Sequence, residues 1–254
     1  MTGLSSSRLS GWATRWLTDE LNTLSYQGRW EAAIATLSHL QQANVINSNV
    51  FHFTTVITGC GKKGMWESSL RVFNSMLVAN VAPNVYTYTT LISSLSHAGK
   101  VSLAVKAFAH MQQAQVPPNV HTMTTLTSAW AKCGNWEKAI STLLACEDMM
   151  IAPTVFTYTS AMDACRRAGE WERALAILSS MKHQHDARPN DISYNTALQA
   201  CSTQGQWEAC LKVLSQMLSD GYSPVDFTWK CINEVLTQPS PPATVTQEDN
   251  DEFG

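Results

Sequence analysis

Lys62, His97, Lys132 and Arg167 follow one another at intervals of 35 residues. Each can carry positive charge, and a cation repeated at fixed spacing would follow a row of phosphates if the fold stacked the segments that bear it. The same residues would also suit the last turn of a helix, where the macrodipole favours cations. Other candidate chemistry is sparser. His183, His185 and Asp186, in KHQHDAR, are metal-ligand types, but the stretch reads as a solvated loop. The seven cysteines, at 60, 133, 146, 165, 201, 210 and 231, include no CxxC, and the nearest pair, Cys201 and Cys210, is nine apart. Neither a zinc site nor a disulfide framework follows, and a reducing compartment suits them. No Ser/His/Asp arrangement, glycine-rich phosphate loop or carboxylate constellation stands out. The expectation is a protein that is not an enzyme, with no cofactor and no metal.

The spacing of the cations belongs to the whole chain. GRWEAA begins at Gly28, GMWESS at Gly64, GKVSLA at Gly99, GNWEKA at Gly134, GEWERA at Gly169 and GQWEAC at Gly205, in steps of 36, 35, 35, 35 and 36. A fixed period of this size marks a stacked array. The register gives units 14–49, 50–84, 85–119, 120–154, 155–190 and 191–225, with a partial unit from Asp226. The five units from 50 onward all carry proline as the penultimate residue: Pro83, Pro118, Pro153, Pro189 and Pro224.

Within a unit the apolar spacing is helical twice over. Phe53, Val56, Ile57 and Cys60 mark the first half of one unit, Tyr88, Leu91, Ile92 and Leu95 that of the next. Leu70, Phe73 and Met76, then Val105, Phe108 and Met111, mark the second halves. The glycine ends the first helix, a glutamate three residues on suits the positive start of the second, and proline stops it. Cys60, Cys165 and Cys201 share one register position and read as small core residues. A lone hairpin cannot bury its apolar stripe, so neighbours must stack. The predicted fold is all-α, a right-handed α-solenoid of helix-turn-helix repeats with the first helices on its concave face.

The termini differ from this array. Residues 238–254, QPSPPATVTQEDNDEFG, hold four acids and no Lys or Arg; without them the net charge of −3 becomes +1 for residues 1–237. An acidic, disordered tail on a nearly neutral array is expected. The N-terminal extension, residues 1–13, opens a stretch with several serines, Arg8 and Arg15 and no acid before Asp19, a bias like the end of an organellar transit peptide. No apolar run approaches the roughly 20 residues of a membrane span.

The unit VYTYTTLISSLSHAGKVSLAVKAFAHMQQAQVPPN, residues 85–119, resembles a pentatricopeptide repeat, through its V-x-x-Y-T-x-L-I start, its central glycine and its P-N ending. The resemblance spans residues 14–237; the tryptophan after the glycine is a local variation that the family pattern does not demand. It implies single-stranded RNA binding in a mitochondrion or chloroplast, one base per repeat. In the family the fifth and last residues of a repeat read the base. Carried over, these are Thr18 with Asn49, Thr54 with Asn84, Thr89 with Asn119, Thr124 with Thr154, Thr159 with Asn190 and Asn195 with Val225. Thr with Asn is associated with adenine; Thr/Thr is ambiguous, and Asn/Val departs from the code.

The second residues of successive repeats would hold the base between them. Here they are Phe51, Tyr86, His121, Phe156, Ile192 and Phe227, mostly rings where the family has aliphatic residues. They would either stack on bases or pack between hairpins. The terminal asparagines would either cap the next helix alone or cap it and touch a base. The expected function is sequence-selective binding of A-rich single-stranded RNA, supporting transcript stability, processing or translation. Other organellar RNA-processing or ribosomal proteins are the expected partners. The alternative is a non-catalytic scaffold subunit of an organellar ribonucleoprotein or protein complex.

Overall fold

An Asn, Thr or Val closes most repeats, and the residue after it opens a helix. In the computed structural model, which describes residues 16–24, 26–42, 50–182 and 187–237, the helices come in pairs. They are α1 (residues 16–24) with α2 (Trp30–Gln42), α3 (Val50–Lys62) with α4 (Trp66–Val78), and α5 (Val85–His97) with α6 (Val101–Gln113). Next come α7 (Val120–Lys132) with α8 (Trp136–Asp148), α9 (Val155–Ala168) with α10 (Trp171–Lys182), and α11 (Asp191–Ser202) with α12 (Trp207–Ser219), before a last helix, α13 (Asp226–Thr237). The N-terminal extension, Asn49, the loop with His183, His185 and Asp186, and the acidic tail lie outside the described residues.

Each hairpin turns at its glycine. Gly99 has φ 71°, a left-handed conformation that a Cβ disfavours, and there Lys100 N–H reaches back to Leu95 O at 2.9 Å. This closes the orphan carbonyls of α5 and lets α6 start at once. The second helices end in the same left-handed region, but without glycine at Asn80, Gln115 and Met150 (φ 54°, 55° and 56°).

The apolar stripes meet as the spacing requires. Tyr88, Leu91, Ile92 and Leu95 of α5 and Ala104, Ala107 and Met111 of α6 are buried together, and the Tyr88 hydroxyl is satisfied by His110 Nδ1 at 2.8 Å. Burial of each such leucine contributes about 1.5–3 kcal/mol, and truncating Leu91 to alanine would cost about 2–5 kcal/mol. Trp30 and Trp66 pack against this core and Trp136 and Trp171 against the next one along the array, while Trp207 is exposed. Cations of the following repeat cover three of them: Arg71 over Trp30, Lys100 over Trp66 and Arg173 over Trp136, at 5.2, 5.1 and 4.3 Å from the ring centres.

The stacking order sets the shape. From α3 onward the first helices touch one another in an unbroken row: α3, α5, α7, α9, α11 and α13. The second helices from α4 to α12 each touch their own partner and the next first helix, but not one another. A row in contact inside and a row splayed apart outside make a right-handed solenoid, concave on the side of the first helices. No helix of the described residues is long and apolar enough to cross a membrane.

Candidate nucleic-acid interface

The first three turns of each first helix carry the residues that face the groove. Position 2 of each repeat points outward. Phe51, Tyr86 and Phe156 are 60%, 74% and 73% exposed, and His121, Ile192 and Phe227 are exposed with them. Rings left open to water at positions 51, 86, 121, 156 and 227 do not pack between hairpins. Two gaps lie between successive rings, from Phe51 to Tyr86 and from Tyr86 to His121.

The gaps are clefts. One, of about 510 Å³, lies between Phe51 and Tyr86, with Thr54 and Asn84 in its lining. The next, of about 660 Å³, lies between Tyr86 and His121, with Thr89 and Asn119 in its lining. Each cleft thus joins two position-2 rings to the fifth and last residues of one repeat, and Tyr86 borders both.

The last residues are helix caps. Asn84 Oδ1 accepts the Thr87 N–H at 3.0 Å, Asn119 Oδ1 accepts that of Thr122 at 2.9 Å, and Asn190 Oδ1 accepts that of Ser193 at 3.0 Å. A backbone N–H can only donate, so the amide oxygen must face it and the amide nitrogen points away. Capping therefore occupies one end of the side chain and leaves its two N–H donors available. Thr154 takes this place before α9, with Oγ1 3.2 Å from Thr157 Oγ1, and Val225 offers no polar side chain before α13.

The fifth residues are half-buried, and their hydroxyls bond to the carbonyl one turn back: Thr54 to Val50 O, Thr89 to Val85 O, Thr124 to Val120 O and Thr159 to Val155 O, at 2.7–2.9 Å. Such bonds satisfy a β-branched residue within a helix. Thr18 is half-buried on α1, with its partner letter Asn49 outside the described residues.

A buried third position connects these letters, and the sequence reading passed over it. Thr54 Oγ1 lies 2.8 Å from Thr87 Oγ1, Thr89 Oγ1 2.7 Å from Thr122 Oγ1, and Thr124 Oγ1 2.7 Å from Thr157 Oγ1, each from one repeat to the next. Thr228 Oγ1 likewise donates to Asn195 Oδ1 at 2.7 Å. Thr87 and Thr122 Oγ1 also lie 3.0 and 2.9 Å from the capping oxygens of Asn84 and Asn119. The available signal was the column itself, a threonine at 87, 122 and 157. In α3 the column holds His52, whose imidazole pKa burial pushes below its ordinary value.

The cation row is exposed but uneven. Lys62 Nζ donates to Tyr26 OH and Lys132 Nζ to Ser96 O, both at 3.4 Å. His97 Nδ1 lies 2.7 Å from Ser93 O; a carbonyl only accepts, so Nδ1 carries the proton and Nε2 stays open. Arg167 is spent on Asp163, at 2.8 Å, a carboxylate it shares with Arg166. The cysteines of the first helices are inert, since burial raises the Cys60 and Cys165 thiols to about 11.

Repeats of this kind define a class, and family models find them along most of the array. The PPR repeat family matches residues 48–97 and 88–132, the pentatricopeptide repeat domain 115–167 and 142–203, and the PPR repeat 192–222. The chain belongs to the pentatricopeptide repeat family. No curated protein matches it. Among solved structures it is similar to the pentatricopeptide repeat protein PPR10 from maize, with 26% identity over 85% of this chain and 31% of that one and a TM-score of 0.63. It is also similar to PPR10 in complex with an 18-nt psaJ RNA element, at 24% identity over the same shares and a TM-score of 0.69. A third likeness is to the PPR domain of Arabidopsis thaliana protein-only RNase P 1 in complex with tRNA, at 20% identity over 72% of this chain and 95% of that one, TM-score 0.63. The chain spans about a third of the length of PPR10.

Proposed function

We propose that the protein binds single-stranded RNA along its concave face, one base per repeat, with a preference for adenine. The observation that carries this reading is the pair of clefts bounded by Phe51, Tyr86 and His121, each containing one Thr hydroxyl and one capping Asn. A base entering such a cleft would stack between two rings. Its edge would meet an amide N–H donor and a hydroxyl oxygen. Adenine complements that pair, since a ring nitrogen accepts beside an amino group that donates. PPR10, whose fold this chain shares, is known in complex with an 18-nt psaJ RNA element, which supports RNA as the ligand.

Repeats 50–84, 85–119 and 155–190 would read adenine through Thr54/Asn84, Thr89/Asn119 and Thr159/Asn190, and repeat 14–49 through Thr18/Asn49. Repeat 120–154, with Thr124/Thr154, would read less selectively, and Asn195/Val225 would contribute little. Lys62, His97 and Lys132 would follow the phosphates, with Arg167 contributing less because of Asp163. The role is non-catalytic: shielding or presenting a transcript in a mitochondrion or chloroplast, beside other RNA-processing or ribosomal proteins. The nearly neutral array favours one second reading, a scaffold subunit whose concave face holds protein or structured RNA.

Fluorescence polarisation with A-rich and C-rich hexamers at two salt concentrations tests the proposal. Micromolar or tighter binding that prefers adenine and weakens with salt supports it. Equal affinity for both hexamers would sink the adenine reading, and no binding would favour the scaffold.

A further inference from the structure

In repeat 85–119, Thr89 Oγ1 lies 2.8 Å from Val85 O and 2.7 Å from Thr122 Oγ1, while Thr122 Oγ1 lies 2.9 Å from Asn119 Oδ1. These three contacts share two hydroxyl protons. The carbonyl and amide oxygens only accept. If each hydroxyl gave its proton to one of them, two hydroxyl oxygens would face each other at 2.7 Å with no proton between. One proton must therefore lie between the threonines. Either Thr122 donates to Thr89, which donates to Val85, or Thr89 donates to Thr122, which donates to Asn119. In both arrangements Thr89 spends its proton inside the protein and shows the cleft a lone pair.

In the second arrangement, turning that proton out toward a base disturbs the whole set. Thr122 must then donate to Thr89, and Asn119 Oδ1 keeps only the Thr122 N–H at 2.9 Å. Thr54, Thr87 and Asn84 form the same set, with contacts of 2.8 and 3.0 Å. Repeat 155–190 carries the same two letters without the tie. Thr159 donates within its own helix, to Val155 O at 2.9 Å and Phe156 O at 3.2 Å, and Ser193 serves Asn190 alone, at 3.0 Å. Thr159 can turn its proton outward and leave Ser193 and Asn190 undisturbed.

Resting on the adenine reading above, we infer that the buried threonines Thr87 and Thr122 are specificity-positioning residues. They tie hydroxyl and amide into one unit that rejects a base with a carbonyl where adenine has its amine. Identical letters therefore read with unequal stringency: strictly at Thr54/Asn84 and Thr89/Asn119, loosely at Thr159/Asn190.

The test is a polarisation scan of an adenine hexamer in which each position in turn is guanine, which places a carbonyl oxygen where adenine has its amino group. In the unaltered chain guanine should weaken binding about tenfold at a tied repeat and about threefold at the untied one. Thr122→Val removes the hydroxyl but keeps the N–H that Asn119 caps, and should reduce one strict position to about threefold. Ser193→Thr should make the loose position strict, two nucleotides away from the one that Thr122→Val relaxes. A scan of the unaltered chain with no adenine preference anywhere defeats the adenine reading, and the inference with it, before any variant is made. A guanine penalty that stays about tenfold at the same position in Thr122→Val, and about threefold in Ser193→Thr, overturns the inference alone. Where Thr122→Val lowers the Tm, Thr87→Val and Ser193→Thr decide by the same readout.

Discussion

Thr122 donates its backbone N–H to Asn119 Oδ1 at 2.9 Å, so the amide that lines the cleft is also the cap that begins α7. Two substitutions separate these roles. Asn119→Ala loses the cap and should cost about 1 kcal/mol of stability, seen as a lower Tm, together with weaker RNA binding. Asn119→Asp keeps an oxygen for the Thr122 N–H and so keeps the Tm. It also replaces the outward N–H donors with an acceptor, and the adenine preference of that repeat should vanish in a hexamer titration.

Tyr86 borders two clefts, and its ring is 74% exposed. Tyr86→Ala should therefore leave thermal unfolding unchanged. It should weaken RNA binding by about 1–3 kcal/mol, the range for a base–aromatic stack. The exposed Ile192, which has no ring to stack, should lose less on the same change. A Tyr86→Ala variant that unfolds early would return the ring to a packing role.

The cations should show their pairing in salt titrations. Lys132→Ala removes an ammonium with no carboxylate partner among the described residues, and should reduce the slope of log affinity against log salt by about 1. Arg167→Ala should change the slope less, since Asp163 already holds that guanidinium at 2.8 Å. Equal changes for both would mean that Arg167 leaves Asp163 for a phosphate.

Met150 holds a left-handed backbone at φ 56° with its side chain 97% exposed. The corresponding end of α12 has glycine, Gly221, at φ 84°. A methionine there bears the Cβ strain of that region and buries nothing in return. Met150→Gly should stabilise the array by about 1 kcal/mol, read as a raised Tm with RNA binding unchanged.

The hairpins and their stacking were legible because glycine, glutamate, proline and the apolar stripes recur locally, within reach of simple helix rules. Phe53, Tyr88 and Tyr194 are buried at the fourth position of their repeats, where the spacing put them. The exposure of Phe51, Tyr86 and Phe156 was not legible, because a ring at the start of a helix fits a packed corner or an open slot equally well. The Asp163–Arg167 pair follows from an acid four residues before a cation and was available in the sequence. The Thr89–Thr122 tie was hidden for a different reason. It joins residues 33 apart on separate helices, so only the packing of α5 against α7 brings the hydroxyls within 2.7 Å.

The double duty of Asn84, Asn119 and Asn190 constrains how such an array could be rewritten. Each of these letters starts a helix, and only Asn, Asp, Ser and Thr among side chains do this well. Moving within that four-letter alphabet changes the groups offered to a base and spares the fold. Leaving it, as Val225 does, removes the polar group and gives up the cap in the same step. On the proposed reading, the vocabulary available to this protein is therefore set less by what bases can be recognised than by which side chains can begin a helix.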